Sequence, residues 1–267
     1  MPLAESPFTS TILPIGVPRL AAHPNIVTAV LVGRTDPITL EHEGVSVTGD
    51  VLLVRPGIVH SVRVSERGAD VIFLNGLAFP FEAPLAVVLK GSLEQLAHRS
   101  LGGDPGATEP GATEELRARL AFATPPLAPK IVEIVRAMQA DPMRRVTQDE
   151  LVRYLGMERT RALRCFKAVT GLTFRRFKLW SALQHAAVSM AGHELVRTAA
   201  IDAGFADTAH LSRVFSSVFG LPPSVAIAAL DDRYRAARSV TAPRISCSSA
   251  FSQSEAFFRS RARLSKQ

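Results

Sequence analysis

Between residue 26 and about residue 79, short β-branched runs alternate with turn residues. Residues 26–32, 45–47, 51–54, 58–64 and 71–74 are separated by Gly, Pro, Asp and Asn. Many short strands with frequent turns predict an antiparallel barrel or sandwich. Residues 85–99 and 113–122 can each form a helix. Residues 102–113, GGDPGATEPGAT, have the composition of a linker or loop. From Pro129 onward the strand pattern disappears, and apolar positions recur at helical spacing as far as about Leu230. Residues 239–267, rich in Ser and Arg, are expected to be disordered. The pattern as a whole predicts an α+β chain, an antiparallel β-domain followed by an all-α domain.

Composition narrows the class. A chain of 267 residues, 47% hydrophobic, is long enough for two domains with cores. No apolar run approaches the ~18 residues of a membrane span, so no membrane partner is expected. Residues 1–10 lack a basic stretch followed by an apolar one, so no secretory signal is expected. The two cysteines are Cys165, in an apolar helical pattern, and Cys247, in the serine-rich tail. A core thiol and a tail thiol are expected rather than a disulfide, with the cytoplasm as compartment.

The net charge of +7 is unevenly distributed. Residues 1–123 carry 9 Lys/Arg against 13 Asp/Glu, residues 124–230 carry 14 against 8, and residues 231–267 carry 8 against 3. The basic half is where a polyanion would bind, although a basic face can also be merely solvated.

That half contains a weak repeat. Residues 146–156 (VTQDELVRYLG) and 195–204 (LVRTAAIDAG) each read as a short helix ending at Gly. In the first, Thr147 and Glu150 form a capping-box pattern. After each Gly come a brief turn and a second helix. The second helices share a rhyme: Leu163-Arg164-Cys165-Phe166 before Thr170-Gly171, and Ser212-Arg213-Val214-Phe215 before Phe219-Gly220. Helix, tight turn and helix make the helix-turn-helix arrangement. Two copies on a basic background point to DNA.

Residues 156–174 (GMERTRALRCFKAVTGLTF) and 203–224 (AGFADTAHLSRVFSSVFGLPPS) resemble the two signature stretches of the AraC/XylS family of transcription regulators. The resemblance covers about residues 129–229. It implies seven helices, two helix-turn-helix units joined by a long helix at 174–191. Such a helix can space two recognition helices about one DNA turn, ~34 Å, apart within one protomer. The division expected is 1–101 for a cupin-like sensor domain with a trailing helix, and 102–128 for a linker with a candidate dimerisation helix. Residues 129–229 form the DNA-binding domain, with its units at about 147–169 and 196–219, and 230–267 form a basic, disordered tail. Arg259, Arg261, Arg263 and Lys266 in that tail either add nonspecific DNA affinity or serve no role.

Carried onto this chain, the family's base-facing positions in the first recognition helix (about 159–169) are Thr160, Leu163 and Arg164, with Arg161 and Lys167 beside them. Arg164 suits guanine O6 and N7, with a phosphate contact or an internal salt bridge as alternatives. Leu163 suits a thymine methyl, and Phe166 suits the core. The second helix (about 208–219) offers Thr208, Ala209, His210, Ser212 and Arg213. Arg213 is open between base contact and a packing or backbone role. Ser216, Ser217 and Val218 stand where many members are basic, which implies a weaker phosphate grip. Two further positions depart from the pattern: Ala162 replaces a larger apolar residue, and Ala182 stands where Arg is common. Arg175, Arg176 and Lys178 suit phosphates or a solvated face.

Residues 49–60 (GDVLLVRPGIVH) resemble the second conserved stretch of cupin barrels, and sensor domains of that kind commonly precede this DNA-binding domain. The earlier stretch offers only Glu41-His42-Glu43, whereas a metal needs three or four converging ligands. No metal, cofactor or catalytic residue is expected. His60 and Arg63 are the pocket candidates, with a solvent-facing role open for Arg63. The expected partners are double-stranded DNA, a small-molecule effector, RNA polymerase in the case of an activator, and a second copy of the chain. The alternative reading is a cupin-type metalloenzyme or isomerase with a helical accessory domain.

Overall fold

Nine strands form two antiparallel sheets in the computed structural model, which describes residues 8, 10–77, 79, 83–102, 110–121, 129–141, 146–192 and 194–238. The strands are β1 (Ser10–Ile15), β2 (Arg19–Pro24), β3 (Thr28–Gly33), β4 (Ile38–His42), β5 (Val45–Gly49), β6 (Val51–Val54), β7 (Val59–Arg63), β8 (Ala69–Leu74) and β9 (Ala86–Val88). One sheet runs β1-β8-β3-β6-β9 and the other β2-β7-β4-β5. The antiparallel β-domain read from the sequence is present, but it starts earlier than residue 26. β1 and β2 precede that point, and β4 fills a stretch given no strand.

The two sheets differ in how their faces are covered. Every residue of β3, β6 and β8 is buried. Their inward residues (Leu31, Leu52, Phe73) face the second sheet, and their outward ones (Val30, Leu53, Ile72) lie under two helices. Those helices are α1 (Ser92–Leu101) and α2 (Pro110–Leu120), which present Leu96, Ala97, Leu101, Leu116 and Leu120 to the sheet. A sheet covered on both faces needs continuously apolar strands. The second sheet is covered on one face only, and β7 alternates: His60 and Val62 point in, Val59 and Arg63 out.

Residues 86–88, expected in a helix, instead extend β6 as β9, with Leu53 opposite Val87. The helix that follows begins at Ser92. α2 enters the region read as a linker, of which residues 103–109 and 122–128 lie outside the described residues. Its Arg117 is buried, donating to the Phe8 carbonyl at 2.6 Å and to the Ser10 hydroxyl, with Glu114 at 3.4 Å. The apolar side of this candidate dimerisation helix is spent on its own sheet.

Seven helices follow among the described residues: α3 (Pro129–Ala140), α4 (Gln148–Leu155), α5 (Arg159–Thr170), α6 (Phe174–Ala191), α7 (Val196–Asp202), α8 (Thr208–Phe219) and α9 (Pro223–Arg238). α6 has the bounds read from the sequence. α9 runs through residue 238, past the expected start of the tail at 230; residues 239–267, Cys247 among them, lie outside the described residues. No single helix among the described residues is long and apolar enough to cross a membrane.

The helices do not form a separate core. Trp180 of α6 is fully buried, its ring centroid 5.4 Å from Phe73 of β8 and 6.0 Å from Phe219 of α8. Phe73 and Phe219 meet edge-on at 5.3 Å. Around this triad, Asn75 donates to Gln184 (3.2 Å), and Gln184 donates to Thr11 (2.7 Å). The interior of the β-domain therefore continues into the helical half as one apolar cluster. Truncation of a buried Trp costs about 3–5 kcal/mol, and Trp180→Ala is expected to lose that much in urea denaturation. Trp180→Phe should cost distinctly less, because the indole N–H has no hydrogen-bond partner among the described residues.

Candidate nucleic-acid interface

The first helix-turn-helix unit is set by its caps. Thr147 closes α4 in a reciprocal box: Glu150 N–H donates to its hydroxyl at 3.1 Å, and Thr147 N–H donates to the Glu150 carboxylate at 2.6 Å. Such a cap is worth about 1 kcal/mol. Gly156 ends α4 with φ of 64°, the left-handed turn that a side chain would strain. Glu158 then opens α5, accepting from the N–H groups of Thr160 (2.8 Å) and Arg161 (3.1 Å). Those backbone bonds, Thr160 first, hold its carboxyl below the usual range.

α5 is two-faced. Ala162, Phe166, Val169 and Thr170 are buried, and Phe166 meets Phe174 and Phe177 edge-on at 5.2 and 5.4 Å. Ala162, smaller than the family's usual residue, is fully enclosed, so the neighbours close over it. Thr160, Arg161, Arg164 and Lys167 are exposed on the other side, with Leu163 half-buried. Arg159, at the start of the same helix, is tied back to α4 through Gln148 (2.5 Å) and Asp149 (3.4 Å). Cys165 is a half-buried free thiol rather than a fully enclosed one.

The second unit keeps the arrangement with less charge. Asp207 caps α8 by accepting from His210 N–H at 2.6 Å. Leu211, Phe215, Val218 and Phe219 are buried; Ala209 and Arg213 are exposed, and Thr208, His210 and Ser212 half-exposed. The His210 ring stacks edge-on against Phe205 at 5.3 Å, and its Nδ1 accepts from Ala206 N–H at 3.4 Å. In the neutral ring the proton therefore sits on Nε2, leaving that atom as a donor. Arg175 and Arg176 are exposed at the start of α6. Lys178 is not a free cation: it donates to the Val146 carbonyl at 2.9 Å.

The far end of α8 is held by the β-domain. The Ala21 N–H of β2 donates to the Gly220 carbonyl at 3.0 Å. Gly220 has φ of 70°, and a Cβ there would strike the His23 ring and lie 2.7 Å from the Ala21 carbonyl. Phe219 and Leu221 wall a cavity of about 10 Å³ together with His23, Asn25, His60, Val62 and Phe73. That is barely room for one water.

His60 is thus a lining residue of the cavity, 2% exposed. Arg63 lies outside it, on the solvent side of β7, 2.6 Å from Glu41, because strand alternation sends residue 63 outward when 60 and 62 point in. Sequence reading missed His23, whose ring lies 4.8 Å from that of His60. Both rings donate from Nδ1 to carbonyls, His23 to Ala21 (2.7 Å) and His60 to Ile58 (2.8 Å). Each Nε2 remains an acceptor. Among the described residues no three His, Cys, Asp or Glu side chains form a metal-binding group.

Residues 151–228, from α4 into α9, match the family model described as a helix-turn-helix domain. Over those residues the chain is similar to a helix-turn-helix domain, the arrangement its two signature stretches implied. Solved structures of ToxT from Vibrio cholerae share the fold of the chain. One is 14% identical, covers 83% of this chain and 98% of its own, and superposes with a TM-score of 0.53. A second is 13% identical over 84% and 98%, with a TM-score of 0.55. A third, of ToxT bound to an unsaturated fatty acid, is 14% identical over 82% and 94%, with a TM-score of 0.53. No curated protein matches the sequence.

Burial pushes the His60 pKa down to about 4 from 6.5, helped by the neighbouring His23 and His42, and lowers that of His23 as well. The unfolded chain therefore takes up these protons first as pH falls. The stability that neutral His60 contributes is complete above about pH 6.5 and is lost progressively down to about 4. At 1.36 kcal/mol per unit the His60 share is about 3 kcal/mol. Denaturant titrations between pH 7 and 4.5 should show this fall, and His60→Gln should show less of it.

Proposed function

We propose that this chain is an effector-responsive, sequence-specific DNA-binding transcription regulator of the AraC/XylS type. It would read successive major-groove segments with α5 and α8. The observation that carries the reading is the exposed face of α5, where Thr160, Arg161, Arg164 and Lys167 lie opposite a closed aromatic core. Arg161 and Lys167 have no ion-pair partner among the described residues, so their charge is available to a polyanion. Leu163 and Arg164 supply an apolar contact and a bidentate donor at the same surface. On α8, Thr208, Ala209, Ser212 and Arg213, with the Nε2 donor of His210, make a lighter reading surface. Arg175 and Arg176 are the proposed phosphate contacts at the base of the first unit.

Responsiveness to an effector is supported by the shared wall of the cavity, where Phe219 and Leu221 of the DNA-binding half meet His23 and His60 of the β-domain. A ligand binds this region only in a state where the wall has moved, and its differential affinity for that state would drive the switch. The ToxT structure that holds an unsaturated fatty acid is consistent with such a role for this fold.

Arg164→Ala should cost about 1–3 kcal/mol on the specific site and relax preference at one base pair, whereas Lys167→Ala should weaken all sequences alike and reduce the salt slope by about 1. Footprinting and salt-titrated gel retardation read both. Uniform weakening by Arg164→Ala would assign that side chain to phosphate instead.

A further inference from the structure

The helices of the DNA-binding half differ in the chemistry that closes their N-termini. α4 and α6 are closed by the hydroxyls of Thr147 and Thr173, which are neutral. The two recognition helices, α5 and α8, are closed by the carboxylates of Glu158 and Asp207. A helix start with unoccupied N–H groups attracts phosphate. A carboxylate cap occupies those donors and also sets a negative charge against any approaching phosphate. A threonine cap does only the first.

The distinction matters most on α5. Arg161, Arg164 and Lys167 on one exposed face would grip any duplex through its backbone, irrespective of sequence. α8 carries only Arg213 among its exposed residues as a cation, and has less indiscriminate attraction to oppose. Glu158 is exposed yet fixed, because one carboxylate oxygen receives Thr160 N–H and the other Arg161 N–H. It stands at the end of the helix that reaches base edges in this class of motif. Arg164 lies in its field.

We propose that Glu158 is a specificity-determining positioning residue, which keeps phosphate away from the start of α5 and biases Arg164 toward base edges. This rests on the DNA-reading function proposed above. Glu158 acts by lowering binding to wrong sequences more than binding to the right one. Specificity is that difference, not the affinity itself.

The test compares wild type, Glu158→Thr and Glu158→Gln on two duplexes, one selected from a random pool by the wild-type chain and one of scrambled sequence. Glu158→Thr keeps a capping hydroxyl of the kind found at Thr147 and Thr173, and thermal melting reports whether the helix start is preserved. The scrambled duplex should bind Glu158→Thr about two- to fivefold more tightly. The selected duplex should gain less, so the specificity ratio falls. The slope of log affinity against log salt on the scrambled duplex should steepen by about 0.9, one additional phosphate. Glu158→Gln should move both readouts in the same direction. A ratio and slope unchanged in both variants, or equal weakening on both duplexes, would overturn the proposal. Wild type showing no salt-dependent binding to any duplex would instead overturn the DNA-reading function.

Discussion

The contact among Phe73, Trp180 and Phe219 decides how the molecule is organised. It joins a strand of the β-domain, the long central helix and the last turn of α8 in one buried aromatic cluster. Aromatic pairs at these separations contribute about 0.5–1.5 kcal/mol each beyond the apolar area they remove from water. The Ala21–Gly220 bond and the Asn75–Gln184–Thr11 chain fix the register around it. The β-domain is consequently not a tethered accessory. It is built against α6, α8 and α9, while α3, α4 and α5 pack chiefly on one another and on α6.

That asymmetry parallels the chemistry of the two units. The first is held through α6 and carries the exposed cations Arg161, Arg164 and Lys167. The second is seated on the β-domain and carries Arg213, small polar residues and a histidine locked against Phe205. Under the proposed function, affinity comes mainly from the first unit, and a change in the β-domain acts first on the second. His23 and His60 occupy the joint between them, neutral and desolvated at pH 7.

Legibility in the sequence followed the strength of local patterns. β3, β6 and β8 were visible because a sheet buried on both faces requires unbroken apolar runs such as Val51–Val54. α4 to α6 and α8 were visible because caps and glycines punctuate a regular apolar stripe: Thr147 with Glu150, Gly156, Gly171 and Gly220. β2 was hidden because its register shifts between Leu20 and His23, which breaks the alternation a strand would show. β9 was read as helix because a three-residue apolar run before a true helix has no period of its own. The exposed faces of α5 and α8 were legible as residue types, but the tying of Arg159 to Gln148 was not, since it depends on how α4 and α5 cross. Nothing local marks Trp180 or Phe219 as joint residues. Their partner Phe73 lies more than a hundred positions away, and only the tertiary fold brings the three together.

Through this cluster the β-domain and α8 are coupled as one cooperative unit, which hydrogen exchange on wild type and Phe73→Ala tests. Amides of β2 and of the last turn of α8 should lose protection together in the variant, while those of α5 keep theirs, because α5 is anchored by Phe174 and Phe177 instead. Loss confined to the strands, with α8 as protected as before, would mean that the β-domain and α8 open independently.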